Sequence, residues 1–257
     1  MNPNLWSFCE QAINPLEYTA WRVVEAQHIA STRKLVDSVE EQLILEELLE
    51  NKAKPALPCE AEFAGLHYLL STPFRYPPLK YGSRFGTRLQ RSLWYGSLLL
   101  PTAFAEVAFY RLLFFKGTQA PLKSSELLLS AYQAQIKTKK GIHLHHPQFE
   151  AYKTDISCKN NYQNSQALGI KLREAGIQAF TYYSARMPNA INLGIFTPKA
   201  FAQKSPIIET QQTWRCYTQP TQIEFTRTTL LEKPQHFVFS QEDFLVNNKF
   251  PFDHQAA

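Results

Sequence analysis

The chain has 257 residues, 44% of them hydrophobic, which leaves room for one substantial core or for one core with an appended helical segment. The net charge of +5 is spread along the sequence, so it suits anionic small ligands as readily as nucleic acid and decides between neither. Four cysteines, Cys9, Cys59, Cys158 and Cys216, stand far apart with no C-x-x-C pair, which excludes a metal finger and fits reduced thiols.

From the N-terminus, MNPNLWSFCEQ lacks a basic region followed by an apolar run, so no leader is expected. In WRVV, residues Trp21 to Val24 read as a short strand. The stretch SVEEQLILEELLENKAKP reads as a helix with Val39, Leu43, Leu45, Leu48 and Leu49 on one side, opened by a Ser38/Glu41 capping box and stopped by Pro55 and Pro58. Residues 1–58 are therefore expected to be a helical extension. Strand-like runs follow: HYLLSTPF, SLWYGS, ELLLSAYQAQIKT, QAFTYYSA, INLGIF, TWRCYT and QIEFTR. Two helices interrupt them. One is LLLPTAFAEVAFYRLLFF (residues 98–115), entered through Pro101; the other is QNSQALGIKLREAGI, with Gly176 as its stop. Strands outnumber possible crossover helices, which predicts an α+β domain over residues 59–230 with mostly antiparallel mixed sheets flanked by helices. Residues 231–257 are expected to be a peripheral extension. The most apolar run, Leu98 to Phe115, is broken by Pro101, Glu106 and Arg111, so no spanning helix and a cytoplasmic protein are expected.

The chain contains no G-x-G-x-x-G after a strand, no Walker loop and no H-E-x-x-H, which argues against a Rossmann site, a P-loop and a zincin. GIHLHH puts His143 and His145 on one face of a possible strand, a weak metal signal without an obvious third ligand, and no metal is expected. The dense region is TPFRYPPLKYGSRFGTRLQRSLWYGS, where Arg75, Arg84, Arg88 and Arg91 alternate with Phe74, Tyr76, Tyr81, Phe85, Trp94 and Tyr95. Three readings stay open for it. It suits a single-stranded nucleic-acid surface, a nucleotide pocket in which guanidinium groups grip a pyrophosphate, or a basic loop over an aromatic core. Glu106 is the lone acid of residues 98–115, and on a helix it falls in a narrow stripe with Thr102 and Tyr110. That stripe faces either solvent or a cleft. Arg84 to Tyr95 is eleven residues and Tyr95 to Glu106 eleven again, a spacing that begins to favour the cleft.

Over roughly residues 70–200 the pattern resembles the RES-domain proteins, named for an arginine, a glutamate and a serine. GSRF carries the arginine at Arg84, LWYGS the aromatic strand at Tyr95, TAFAEVAFYR the glutamate at Glu106, and YYSARMPNAINLGIF the serine at Ser184, followed by Asn192. A further family arginine is assigned to Arg75 in FRYPP, with Arg22 in WRVV as second choice. The resemblance implies an ADP-ribosyltransferase-like fold and an enzyme that consumes NAD as substrate, with no cofactor, by phosphorolysis or hydrolysis of the ribose–nicotinamide bond. It also implies the toxin of a toxin–antitoxin pair, held by an Xre-type antitoxin and meeting nucleic acid only through it, with no membrane partner. Under this reading Glu106, Arg84 and Ser184 are catalytic, while Arg75, Tyr95, Tyr76 and Asn192 bind substrate. A mono-ADP-ribosyltransferase acting on a protein is the alternative, and a single-stranded nucleic-acid module ranks below both.

Overall fold

The structure, a computed structural model, describes residues 3–26, 38, 40–41, 44, 61–76, 80–118, 123–229 and 233–252. Helix α1 (Pro3–Gln11) leads directly into strand β1 (Ile13–Glu25). The expected four-residue strand is thus thirteen residues long, and it pairs antiparallel with β3 (Ser125–His143) from Ile13↔Ile142 to Glu25↔Leu129. Its alternation is hard to read because both faces are partly covered: Trp21 packs toward one apolar cluster and Arg22 lies over the Trp94 ring on the other side. The described part of residues 1–58 therefore adds a strand to the sheet instead of forming only a helical extension. The Ser38/Glu41 capping box is present, with Glu41 N donating to Ser38 Oγ at 3.1 Å and Ser38 N to Glu41 Oε2 at 3.3 Å. The rest of that helix lies outside the described residues.

The remaining strands are β2 (Trp94–Ser97), β4 (Ala179–Tyr183), β5 (Ile191–Ile195), β6 (Ile207–Thr218), β7 (Gln222–Arg227) and β8 (Gln235–Ser240). Their order is β1-β2-β5-β4-β3-β6-β7-β8, and the additional β1–β3 pairing closes the first five into a ring. Among the described residues only β3 and β4 run parallel, as the excess of strands over crossover helices predicted. All five ring strands contribute to one cluster, among them Ala20, Trp94, Tyr132, Ala179 and Leu193. HYLLSTPF, expected as a strand, is instead helix α2 (Tyr68–Arg75), and it packs against this cluster through Leu69, Leu70 and Phe74. Those three positions fit a helical period, and His67 caps the helix by accepting from Leu69 N. Pro73 removes the N–H that would bond Leu69 O; Tyr132 Oη donates to that carbonyl at 2.7 Å in its place.

Helix α3 (Leu100–Gly117) lies against a second cluster, where Phe104 stacks on Phe225 at 4.5 Å and meets Trp214 at 4.7 Å. The C-terminal residues are not peripheral: β8 extends the sheet, and Phe244, Phe250 and Phe252 are buried against Phe109. Their aromatic side chains find more apolar surface on α3 than a solvated tail would offer. Helices α4 (Lys153–Ser157) and α5 (Gln163–Glu174) cover a third cluster around Phe85 and Phe180. Among the described residues, no helix is long and apolar enough to cross a membrane.

Candidate active site

Glu106 projects half-buried from α3, and the stripe predicted around it runs from a buried end at Thr102 to an exposed one at Tyr110. Thr102 is buried against Met187 Sδ at 3.3 Å, and Tyr110 Oη lies 2.9 Å from Tyr162 Oη. Between them, the Glu106 Oε1 atom accepts from Ser184 Oγ at 2.7 Å and from Asn192 Nδ2 at 2.6 Å. Both bonds end on one oxygen. Among the described residues Oε2 receives no hydrogen bond, so its lone pairs remain for a ligand hydroxyl.

Both donors are fixed from behind. Asn192 lies on β5, 2% exposed, and its Oδ1 accepts from Ser97 Oγ of the paired residue on β2 at 2.7 Å. That bond sets the amide so that its N–H₂ end faces the carboxylate. Ser184 follows β4, and its Oγ accepts from Arg186 N at 3.1 Å and Met187 N at 3.2 Å. With its lone pairs taken and its one proton given to Glu106, this hydroxyl is a positioning group and not an activated nucleophile.

Arg84 is reached by a loop held at several points. Gly82 has φ +72°, and a Cβ there would meet Gly86 O at 2.2 Å, so only glycine makes this turn. Ser83 N then donates to Gly86 O at 2.7 Å, and Gln166 of α5 donates to Tyr81 O and Ser83 O at 2.9 and 3.0 Å. Tyr95 completes the clamp, its hydroxyl accepting from Phe85 N at 3.0 Å and lying 2.9 Å from Ser83 Oγ. The Tyr95 hydroxyl thus anchors the arginine loop, a role that nothing local in the sequence marks. Burial raises its pKa to about 12, against the lowering effect of the Ser83 and Phe85 bonds and of Arg84.

The Arg84 guanidinium lies 4.6 Å over the Tyr162 ring and donates to Cys158 O at 2.7 Å. Burial pulls its pKa down, but Tyr162, Tyr182, Glu106 and Tyr110 together outweigh that, and the net direction is up. Tyr182, on the same face as Asn192 across β4–β5, is pushed well above the usual tyrosine range by burial and then by Glu106. Arg84, Glu106, Ser184 and Asn192 therefore belong to one neighbourhood. Four of its residues went unread in the sequence: Ser97, Tyr162, Tyr182 and Arg186. Arg186 sits 3.4 Å over the Phe109 ring and donates to Tyr162 Oη at 3.1 Å, so it braces the ring under Arg84. Its place two residues after Ser184 was the only signal available.

Arg75 and Tyr76 are not brought to this group. They end α2, whose apolar side packs with Trp94 and Leu193, and strand alternation puts those residues on the face opposite Tyr95 and Asn192. Arg22 lies on that same far face, donating to Tyr95 O at 2.6 Å, with Tyr76 beside it in a shallow hollow. Neither candidate for the extra arginine stands beside Glu106. Of the interleaved aromatics, Phe74, Phe85 and Trp94 are 2%, 0% and 0% exposed and offer no face for stacking, whereas Tyr76 and Tyr81 are exposed.

The fold and site define an α+β protein built around a half-buried carboxylate, with two side-chain donors fixed on one of its oxygens and a buried arginine close by. The family model described as RES domain matches residues 58–219, and the chain belongs to that family. The sequence matches no curated protein. Among solved structures, a chain of the M. tuberculosis MbcT-MbcA toxin-antitoxin complex is similar at 11% identity and a TM-score of 0.45, over 80% of this chain and 93% of that one.

Proposed function

We propose that the protein is an NAD-degrading enzyme that cleaves the bond between ribose and nicotinamide, with phosphate or water as acceptor, and that it acts as the toxin of a toxin–antitoxin pair. Family membership supports the class of chemistry. The observation that carries the reading is the Glu106 carboxylate, oriented through Oε1 by Ser184 and Asn192 with Oε2 left for a ligand.

Loss of nicotinamide leaves a cation-like sugar carbon, and the pyridine departs neutral without needing a proton. The site therefore has to supply negative charge more than acid. A fixed carboxylate does so, and a ribose hydroxyl donating to Oε2 strengthens its bond as positive charge develops. Among the described residues Arg84 uses one of its five N–H groups on Cys158 O, so several donors remain for the pyrophosphate. The rigid loop under Arg84 then keeps the scissile bond in register with Glu106.

Pure protein mixed with NAD labelled in its ADP-ribose part tests this. Release of nicotinamide with free ADP-ribose, or with its phosphate when phosphate is present, supports the proposal. Label retained on protein would assign the chain to protein ADP-ribosylation, and intact NAD under all conditions would overturn the reading.

A further inference from the structure

Strand β3 ends at His143 and turns at once, with His146 N donating to His143 O at 3.1 Å and Leu144 N donating to Thr181 O at 2.8 Å. Leu144 points into the core, 2% exposed, which leaves His143, His145 and His146 together outside it. One imidazole nitrogen from each lies within 4.8 Å of those of the other two. The His143 and His146 rings are 4.6 Å apart and nearly parallel, and His145 meets His146 edge-on at 4.8 Å.

Two of the rings are held through the nitrogen that a ligand would not use. His143 Nε2 lies 3.1 Å from Pro15 O, an acceptor, so the proton is on Nε2 and the lone pair on Nδ1. The contact from Nδ1 to Tyr18 Oη, at 3.3 Å, is long and displaceable. His145 Nδ1 lies 2.7 Å from Thr181 Oγ1, and in the tautomer that donates to this hydroxyl Nε2 keeps its lone pair. Such anchoring of the second nitrogen is the outer shell that orients imidazole ligands on a metal.

We propose that His143, His145 and His146 form a binding site for a divalent late transition metal of the zinc class, with the fourth position open to water. Three neutral nitrogen donors suit zinc, nickel or copper, and a hard cation such as magnesium or calcium would seek oxygen instead. Metal–nitrogen bonds of about 2.0–2.1 Å need donors roughly 3.3 Å apart, so the three rings must draw together on the ion from the 4.8 Å span seen here, the exposed His146 being the freest to turn. The sequence showed His143 and His145 but no third ligand; the turn provides it in His146. The site lies on the face of β4 that carries Thr181, opposite Tyr182 and Asn192, so it stands apart from the carboxylate and does not depend on the reading of Glu106.

The full chain without a histidine tag, titrated with Co²⁺ and then Zn²⁺, tests the site. One Co²⁺ per chain, with the intense visible bands of a four-coordinate ion that vanish on adding Zn²⁺, is expected. His145→Ala and His146→Ala should each weaken binding by at least about tenfold, and Thr181→Val by about tenfold through the lost outer-shell bond. His236→Ala, on β8 beside Glu224, should leave it unchanged. Circular dichroism of each variant confirms folding, which the exposed position of His146 makes safe to perturb. Absence of stoichiometric binding, or binding that survives in folded His146→Ala, would overturn the proposal.

Discussion

Replacing Ser184 by alanine separates a positioning hydroxyl from a chemical one. The Ser184 hydroxyl makes three bonds: it donates to Glu106 Oε1 at 2.7 Å and accepts from Arg186 N and Met187 N. A hydrogen bond to a charged group contributes about 1.5–3 kcal/mol, and leaving the two N–H groups without their acceptor adds about 1 kcal/mol, so Ser184→Ala should destabilise the fold by roughly 2.5–4 kcal/mol. Activity should fall less completely. Asn192 still holds the same oxygen at 2.6 Å, and a carboxylate with one of two tethers keeps its charge, so nicotinamide release should drop about 10–100-fold, near 1.4–2.7 kcal/mol in the barrier. Urea unfolding and a continuous nicotinamide assay read the two effects. Undetectable activity in a variant of unchanged stability would mean that the hydroxyl takes part in the chemistry, and the positioning argument would fail.

Tyr95→Phe removes the clamp on the Arg84 loop; it should raise KM for NAD more than it lowers kcat and cost about 1–2 kcal/mol of stability, as steady-state kinetics and denaturation would show. Gly169→Ala should destabilise the protein by several kcal/mol in urea unfolding, although alanine is the better helix former, because its Cβ would meet Phe85 O at 2.1 Å. Burial raises Cys9 from 9.0 to about 12 and, opposed by Arg22, raises Tyr132 from 10.0 to about 12, and both side chains are buried. The unfolded chain therefore gives up these protons first, and these two groups should make stability decline from about pH 9 toward pH 12, by about 1.4 kcal/mol per pH unit for each group still protonated only in the fold. Chemical denaturation at a series of alkaline pH values checks the slope, and a flat profile would contradict it.

Much of the fold was legible because local signals agreed. Pro101 opened α3, Ser38 and Glu41 formed their box, and the alternating runs became β2 to β7. HYLLSTPF misled because Pro73 reads as a break, and only a tertiary partner, Tyr132, satisfies the carbonyl it orphans. The C-terminal residues looked peripheral because Phe244, Phe250 and Phe252 follow no period; their contacts lie on Phe109, more than a hundred positions away. At the site, the motifs name Glu106 and Ser184 as catalytic and Asn192 as substrate-binding, and the three lie within hydrogen-bond reach. Arg75 is near Arg84 in sequence, but α2 turns it to the other face of the sheet. Ser97 and Tyr182 escaped notice because nothing local marks a strand residue whose partner arrives from another strand.

The role given to the Glu106 carboxylate stands or falls with Glu106→Gln. Glutamine keeps the shape and can still accept from Ser184 and Asn192, so the melting temperature should move by only a few degrees, while nicotinamide release from NAD should fall about 10²–10³-fold once the charge is gone. A folded glutamine variant that consumes NAD at the unmodified rate would contradict the proposed chemistry.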